Sequence, residues 1–436
     1  MATPPTALKP DSSRQCNAPG DAPSDTPQAH DERHWRSVWT PDTLEARTHD
    51  LYRSRLARVR AFMRRSGLPA LLIVDPNNIF YATGARNMMV FCLRAPTRYL
   101  LVLEPGPTVL YEYGGAEHLA SGLPTIDHIK PSIAVSYLGS AGMPGDACER
   151  FAREIADAVR MFGGGIDTLG VDRFPFRATD ALRHQGFHLR DADEVFVPAR
   201  AVKLPIEMPY VRESMRRVLE GVERLEQAIA PGRTEAQVWA EFWFDLMQKD
   251  GQYVTTRLFQ SGPNTFPYFQ ECGGRVMQRG DLVCLDTDAL GFEGYSSDLS
   301  RSFLCGDGAP NPVQRQLYQL AREQIDTNAA RLRPGMAWRE FAERAWACPD
   351  AYRPTRYGLI GHGLGLAGEF PNIPHHDPAL PYPEIGHIEP GMVVCLESYI
   401  GSPEAGQGIK LENQYLVHDT GVECLSPYPW DRRLGH

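Results

Sequence analysis

The sequence lacks paired cysteines, long apolar runs and an excess of basic residues, and each absence excludes a class of protein. Its nine cysteines occur singly, with no CxxC pair, and several lie in apolar runs such as VVCLE, which is typical of buried free thiols in a reducing compartment. No segment approaches the ~18 apolar residues that a membrane-spanning helix needs. The formal net charge of −9 offers no broad basic surface to a nucleic acid or an anionic membrane.

The N-terminal sequence MATPPTALKPDSSRQ lacks the basic segment followed by an apolar segment that marks a secretion signal. Together with the single cysteines, this predicts a soluble protein of the cytoplasm. We expect it to act on a small molecule rather than on a nucleic acid or a membrane.

What the sequence contains is enough apolar material for two packed domains in 436 residues. Residues 1–35 are rich in Pro, Ser, Asp and Ala, which predicts a disordered extension. Residues 36–204 alternate helical patterns with short apolar strands, beginning with a helix from about Thr43 to Ser66 that stops at Gly67, and this predicts an α/β domain. Residues 205–436 combine helices with longer strands, which predicts an α+β domain with a curved mixed sheet.

Five carboxylates and one histidine stand in strong local contexts in the C-terminal third of the chain. Carboxylates that converge raise one another's pKa, so five of them cannot stay ionised together without cations. Two divalent ions would neutralise most of this charge, and the set therefore predicts a dinuclear metal site. The six residues are Asp286, Asp288, Asp298, His362, Glu397 and Glu412.

Strand periodicity predicts how these residues are mounted. In DLVCLDTD, Asp286 and Asp288 are two residues apart and should share one face of a strand. The turn ALGFEG should return the chain as YSSDLSRSFL, which presents Asp298 beside them. Glu397 and Glu412 should lie on a second hairpin, joined by the loop SPEAGQG.

In order and context, these residues resemble the ligands of the pita-bread-fold metallopeptidases, which include methionine aminopeptidase, the Xaa-Pro peptidases and creatinase. The resemblance covers about residues 205–425, and with the creatinase-like N-terminal domain it covers about residues 40–425. It implies an α/β N-terminal domain, a pita-bread C-terminal domain with a curved mixed sheet, and a homodimer. The Xaa-Pro peptidases further imply a dipeptidase or aminopeptidase activity, with Glu397 as the base for an attacking hydroxide.

Three departures from the peptidase pattern shift the resemblance to a subgroup. The aspartates Asp288 and Asp298 are ten residues apart instead of eleven, Asp286 is additional, and the motif HGxGxxxHE is replaced by HGLGLAGE at 362–369, without its second histidine. The LDTD pattern, SGPNTFPYFQECGGRV and GIKLENQ resemble the DddP-type dimethylsulfoniopropionate lyases instead. That resemblance implies that all six residues are metal ligands. It also places Gly368 where those lyases carry an acidic residue as the base.

The lyase resemblance implies cleavage of dimethylsulfoniopropionate to acrylate and dimethyl sulfide. Without an acidic residue at position 368, Glu369 is the candidate base, and Tyr357 matches a tyrosine of the lyase pattern as a second catalytic residue. The cationic sulfonium group should lie against aromatic rings. Candidate rings are those of Phe91, Tyr268, Tyr357 and Phe370.

One imidazole and five carboxylates form a hard ligand set, which favours iron or manganese over zinc for the two divalent ions. Besides lyase and peptidase, the sequence leaves open a relative that binds metal without catalysis. That alternative is disfavoured, because an inactive relative has no reason to keep all six ligands.

Overall fold

The computed structural model describes residues 44–435, so the extension predicted for residues 1–35 lies outside the described part of the chain. The helices are α1 (Thr48–Ser66), α2 (Pro76–Thr83), α3 (Met89–Arg94), α4 (Pro144–Gly163), α5 (Phe176–His184), α6 (Asp193–Ala201), α7 (Met208–Ala228), α8 (Glu235–Gln248), α9 (Pro312–Arg331) and α10 (Trp338–Arg344). None of the helices in residues 44–435 is both long and apolar enough to cross a membrane.

The strands form a six-stranded N-terminal sheet, a small three-stranded sheet and an eight-stranded C-terminal sheet. They are β1 (Ala70–Ile73), β2 (Tyr99–Leu103), β3 (Thr108–Glu112), β4 (His128–Pro131), β5 (Thr168–Val171), β6 (His188–Asp191), β7 (Tyr253–Val254), β8 (Phe259–Ser261), β9 (Leu282–Asp286), β10 (Ala289–Leu290), β11 (Ser296–Ser297), β12 (Ser300–Leu304), β13 (Leu359–Leu364), β14 (Gly368–Pro374), β15 (Val393–Ser402), β16 (Gln407–His418) and β17 (Gly421–Cys424).

The N-terminal sheet has the order β4-β3-β2-β1-β5-β6 and mixes antiparallel with parallel pairs. It is covered on both faces, which explains why its central strands are apolar at every position. Leu71 and Ile73 of β1 pack in one core with α1 and α2, whereas Leu72 packs in a second core with α4 and α5. The predicted α/β architecture is confirmed.

The C-terminal sheet has the order β14-β13-β15-β16-β12-β9-β8, with β17 paired to β16. Each described pair in this sheet is antiparallel. The mixed pairing predicted for this sheet therefore occurs in the N-terminal sheet instead, because hairpins rather than crossovers join most of the long C-terminal strands. One core packs α7 and α8 against β9 and β12, and another packs α9 against β15 and β16.

Local signals set most helix boundaries. Helix α1 ends where predicted, because Gly67 adopts the left-handed conformation at φ 63° and its N–H bonds to the carbonyl of Arg64. Helix α8 begins after Thr234, whose hydroxyl accepts a hydrogen bond from the N–H of Gln237 in a capping box. Helix α2, which begins at Pro76 and is capped by the Asp75 carboxylate, was not predicted from the sequence.

A buried contact joins the N-terminal helices to the region of the carboxylates. Arg55 of α1 lies 4.9 Å from the ring centroid of Tyr295 and 3.5 Å from Glu207. Tyr295 also donates a hydrogen bond to Glu207, and Arg55, Glu207 and Tyr295 are all buried. This contact fixes the chain just before Asp298 against the N-terminal domain.

Candidate metal centre

Four neighbouring strands place polar side chains in one row across the C-terminal sheet. Ser300 of β12 lies opposite both Asp286 of β9 and Glu412 of β16, and Glu412 lies opposite Glu397 of β15. Residues that face each other across antiparallel strands point to the same side of the sheet. His362 of β13 extends this arrangement from the neighbouring strand.

Asp288 and Asp298 reach the same place from irregular backbone. Strand β9 ends at Asp286, and Asp288 follows with a left-handed φ of 40°, so the predicted strand alternation does not hold at this residue. The hydroxyl of Thr256 holds the Asp288 carboxylate at 2.6 Å. Asp298 lies in the break between β11 and β12. All six predicted residues line one cavity of about 320 Å³.

Three buried carboxylates lie around the histidine, and each of them has one oxygen without a hydrogen-bond partner among the described residues. Nε2 of His362 lies 3.6 Å from Oε1 of Glu412, 3.7 Å from Oε1 of Glu397 and 3.7 Å from Oδ2 of Asp298. Among the described residues, Oδ1 of Asp298 and both Oε1 atoms have no hydrogen-bond partner. Two atoms that each lie about 2.1 Å from a shared ion are separated by roughly 3.0–3.5 Å. The observed separations lie just above this range. Together with the unpartnered buried oxygens, they leave room for a divalent cation between the histidine and the carboxylates.

The pKa values show that the cluster holds more negative charge than it can balance alone. Burial, with the charge of Glu412 added, raises the pKa of Asp298 well above its usual range. Burial likewise raises the pKa of Glu397 to about 7 and that of Asp288 to about 6. Burial would lower the pKa of His362, but Glu412 and Glu397 raise it to about 9. Bound cations would relieve this repulsion.

Lys410 is a member of the centre that the sequence analysis missed. Its Nζ lies 2.7 Å from Oε2 of Glu412, 2.9 Å from Oε2 of Glu397, 3.2 Å from Oδ2 of Asp286 and 2.9 Å from Oγ of Ser300. Its side chain is 1% exposed. The alternation in IKLEN, which puts Lys410 on the same strand face as Glu412, was the available signal. Five carboxylates and one ammonium leave four negative charges, which two divalent ions would balance.

The predicted ligand Asp286 differs from the others, because hydrogen bonds engage both of its oxygens. Oδ1 accepts from the Ser300 hydroxyl at 2.8 Å, and Oδ2 accepts from the Tyr268 hydroxyl and Lys410. The charge of Asp286 is therefore paired with a cationic side chain of the protein, that of Lys410.

A thiol also faces the centre. The ligand atoms of Asp298, His362, Cys395 and Glu412 all lie within 4.8 Å of one another. Cys395 lies directly opposite His362 in the sheet and is fully buried. The eight cysteines in the described part of the chain are free, as predicted.

The candidate base Glu369 is held by two cations. One carboxylate oxygen accepts from Arg200 at 2.8 Å and 2.9 Å, and the other accepts from Lys203 at 2.8 Å. Burial would raise the pKa of Glu369, but Lys203 and Arg200 together lower it. A carboxylate held in this way is a weak proton acceptor, so its contacts disfavour the predicted role as base.

The predicted aromatic contacts divide between different places. Tyr357 lines the carboxylate cavity, and Tyr268 contacts it through Asp286. Within the described chain, Phe370 lines a different cavity of about 730 Å³ between the two domains, together with Gly368. Phe91 lies exposed on α3 and lines neither of these two cavities. The structure therefore brings two of the four rings to the centre.

Comparisons with known proteins agree with this architecture. The protein family described as "Creatinase/Prolidase N-terminal domain" matches residues 55–202. The family described as "Metallopeptidase family M24" matches residues 209–419. The chain belongs to metallopeptidase family M24 and carries a creatinase-type N-terminal domain.

Two relatives are similar to this chain over most of its length, and both are named as lyases. The dimethylsulfoniopropionate lyase DddP of Roseovarius nubinhibens is 34% identical over 84% of this chain and 83% of the relative. The DddP of Roseobacter denitrificans is 31% identical over 94% and 92%. The prolidase of Pyrococcus horikoshii shares the fold with a TM-score of 0.69 at 20% identity, over 86% of this chain and 99% of the prolidase. The predicted creatinase and pita-bread fold is confirmed.

Proposed function

We propose that this protein is a metal-dependent carbon–sulfur lyase. It cleaves dimethylsulfoniopropionate, or a similar carboxylate with a leaving group on its β-carbon, to acrylate and dimethyl sulfide. The observation that carries the proposal is the 34% identity to a relative named as such a lyase, over more than four fifths of both chains.

The residues of the centre fit two divalent ions. Asp298, His362, Glu397 and Glu412 would hold the ion beside the histidine, and Asp288 with Asp298 would contribute to the second. When bound, such ions supply Lewis acidity toward a substrate carboxylate. We propose iron or manganese, because all but one of the proposed ligands are hard oxygen donors.

The reaction removes a proton from the carbon next to the substrate carboxylate. The electron pair forms the carbon–carbon double bond, the carbon–sulfur bond breaks, and sulfur leaves with its pair as neutral dimethyl sulfide. Burial raises the pKa of Tyr357, and Glu397 raises it further. The phenol therefore stays protonated and serves as a hydrogen-bond donor to the substrate.

We further propose that the chain divides functionally into residues 36–204 and 205–436, and that it acts as a homodimer in the cytoplasm. The two family models support the division, since one ends at residue 202 and the next begins at residue 209. The resemblance to creatinase supports the dimer.

Release of dimethyl sulfide tests the proposed activity. Protein loaded with iron or manganese should release dimethyl sulfide and acrylate in equal amounts from dimethylsulfoniopropionate. The Asp298→Ala variant, which removes a carboxylate that would contribute to both ions, should lose activity by on the order of 10³-fold. Sulfide release no greater than that of this variant would refute the lyase. Cleavage of Xaa-Pro dipeptides in a parallel assay would instead favour a peptidase.

A substitution at Gly368 tests whether a missing base limits the reaction. Gly368 lines the cavity of about 730 Å³ rather than the carboxylate cavity, so Gly368→Asp tests whether a base can act from this position. A base within reach of the substrate should raise lyase turnover by about 10²-fold. A Cβ at this position meets no atom within 4 Å, and Gly368 is exposed. The matched variant Gly368→Asn has nearly the same shape without the basic carboxylate and should show no gain. Equal rates in both variants would mean that the proton is removed from elsewhere.

A further inference from the structure

Phe269 combines an unfavourable backbone conformation with an exposed aromatic ring at the metal centre. Its φ is 73°, which is rare for a bulky residue and costs on the order of 1–3 kcal/mol. Phe269 is 60% exposed and lines the carboxylate cavity. Burial therefore does not explain its conformation.

The neighbours of Phe269 hold the backbone on both sides. On one side, the hydroxyl of Tyr268 bonds to Asp286 in the row of carboxylates. On the other side, the N–H of Cys272 bonds to the carbonyl of Arg257 at 2.9 Å. Because both flanks are anchored, the ring between them is held at the cavity.

Phe269 belongs to a small group of aromatic rings. Its centroid lies 4.2 Å from that of Tyr268 and 5.6 Å from that of Tyr357. Tyr268 and Tyr357 already face a cation, because Nζ of Lys410 lies 5.5 Å from each ring centroid. No such cation contact with Phe269 occurs among residues 44–435. Of the three rings, Phe269 is the one whose face no cation of residues 44–435 contacts, so this face is open to a cationic group of a ligand.

The carboxylate nearest in sequence to this ring is already paired. Glu271 lines the same cavity, and Arg257 holds it at 2.8 Å. A cationic group entering the cavity beside Phe269 would therefore meet an aromatic face rather than a free counter-charge at this position. Methylated onium groups are recognised in this way, since they carry charge but have no proton to donate.

We propose that Phe269 is a specificity-determining residue that recognises the methylated onium group of the substrate. The substrate class is a short carboxylate that carries a sulfonium or quaternary ammonium group at its other end. This inference rests on the proposed function for the placement of the substrate carboxylate at the metal centre.

Two unreactive ligands measure the onium contact separately from turnover. The onium ligand 4-(trimethylammonio)butanoate has no leaving group on its β-carbon. Its isostere 5,5-dimethylhexanoate has the same shape, with an uncharged carbon in place of the cationic nitrogen. Calorimetric titration of the metal-loaded protein should show tighter binding of the onium ligand. Phe269→Leu should reduce this preference by about 3- to 30-fold, the range expected for one cation–aromatic contact.

Control variants distinguish a loss of ligand recognition from a loss of folding stability. Phe269→Tyr keeps an aromatic face and should keep the preference. Phe244→Leu removes another exposed phenylalanine, on α8, that contacts Arg224 at 4.8 Å, and it should also leave the preference unchanged. Unfolding temperatures of all variants, measured alongside, should stay close to that of the wild type.

An unchanged preference in Phe269→Leu would overturn the inference, as would a wild-type protein that binds the two ligands equally. Because these ligands are not cleaved, the result does not depend on lyase activity. A wild type that prefers the onium ligand, a Phe269→Leu variant that loses this preference, and no release of dimethyl sulfide would together sustain the role of Phe269 and refute the proposed reaction. Release of dimethyl sulfide together with an unchanged onium preference in Phe269→Leu would sustain the lyase and refute the role of Phe269.

Discussion

Replacing Glu412 with glutamine should lower lyase turnover by on the order of 10³-fold and should remove bound metal. This loss corresponds to about 4 kcal/mol of transition-state stabilisation. The reason lies in the two oxygens of Glu412: Oε1 faces His362 at 3.6 Å, and Oε2 accepts from Lys410 at 2.7 Å. Glutamine has nearly the same size but replaces one acceptor with an amide that donates. The amide of the substituted side chain must therefore face either Lys410 or the proposed metal position beside His362, and both of these carry positive charge.

Metal analysis after dialysis checks this expectation independently of turnover. The wild type should retain divalent metal, whereas Glu412→Gln should retain clearly less. Glu423→Gln is a matched control, because Glu423 of β17 forms a partly exposed ion pair with Arg212 of α7. That variant should keep both metal and activity. Full metal content in Glu412→Gln would show that Glu412 is not a ligand.

Replacing Lys410 with methionine should destabilise the metal-free protein by about 3–5 kcal/mol. Lys410 is the buried ammonium that contacts three carboxylates, those of Asp286, Glu397 and Glu412. Methionine has similar length and flexibility but no charge, so these carboxylates would remain buried without their counter-charge. Chemical unfolding of metal-depleted protein measures the loss directly.

Divalent metal should recover part of this stability, because cations would replace the missing charge. The control is Lys249→Met, which removes a partly exposed lysine paired with Asp245 and Glu220. Such a surface pair contributes at most about 1 kcal/mol. Equal unfolding free energies for Lys410→Met and the wild type, both without metal, would contradict the role assigned to Lys410.

Much of the local structure could be predicted from sequence because its causes are local. The apolar periodicity of α7 and α8, the left-handed stop at Gly67 and the hairpin that joins β15 to β16 depend on residues within a few positions. The irregular Asp288 could not be predicted in the same way. Its backbone leaves the strand where the chain bonds to Thr256, which is 32 residues away in sequence.

The protonation of the candidate site residues likewise depends on residues that are distant in sequence. The sequence motifs pointed to Glu369 as a base, but its ionisation depends on Arg200, which lies 169 residues earlier. The motifs also grouped Phe91 and Phe370 with Tyr268 and Tyr357, although aromatic character alone carries no information on direction. Chemical type is a property of the residue, whereas proton affinity and accessibility are properties of its surroundings.

By itself, the sequence determined the set of five carboxylates and one histidine that line one cavity in the folded protein. Its strand periods and turns determined that Glu397 and Glu412 face each other across a hairpin. Only the tertiary structure decided the partners of each charge: Lys410 for Asp286, two cations for Glu369, and unpartnered carboxylate oxygens around His362. The physical reason is that strand geometry is set by neighbouring residues, whereas electrostatic energy is set by every charge within a few ångströms, however distant in the chain.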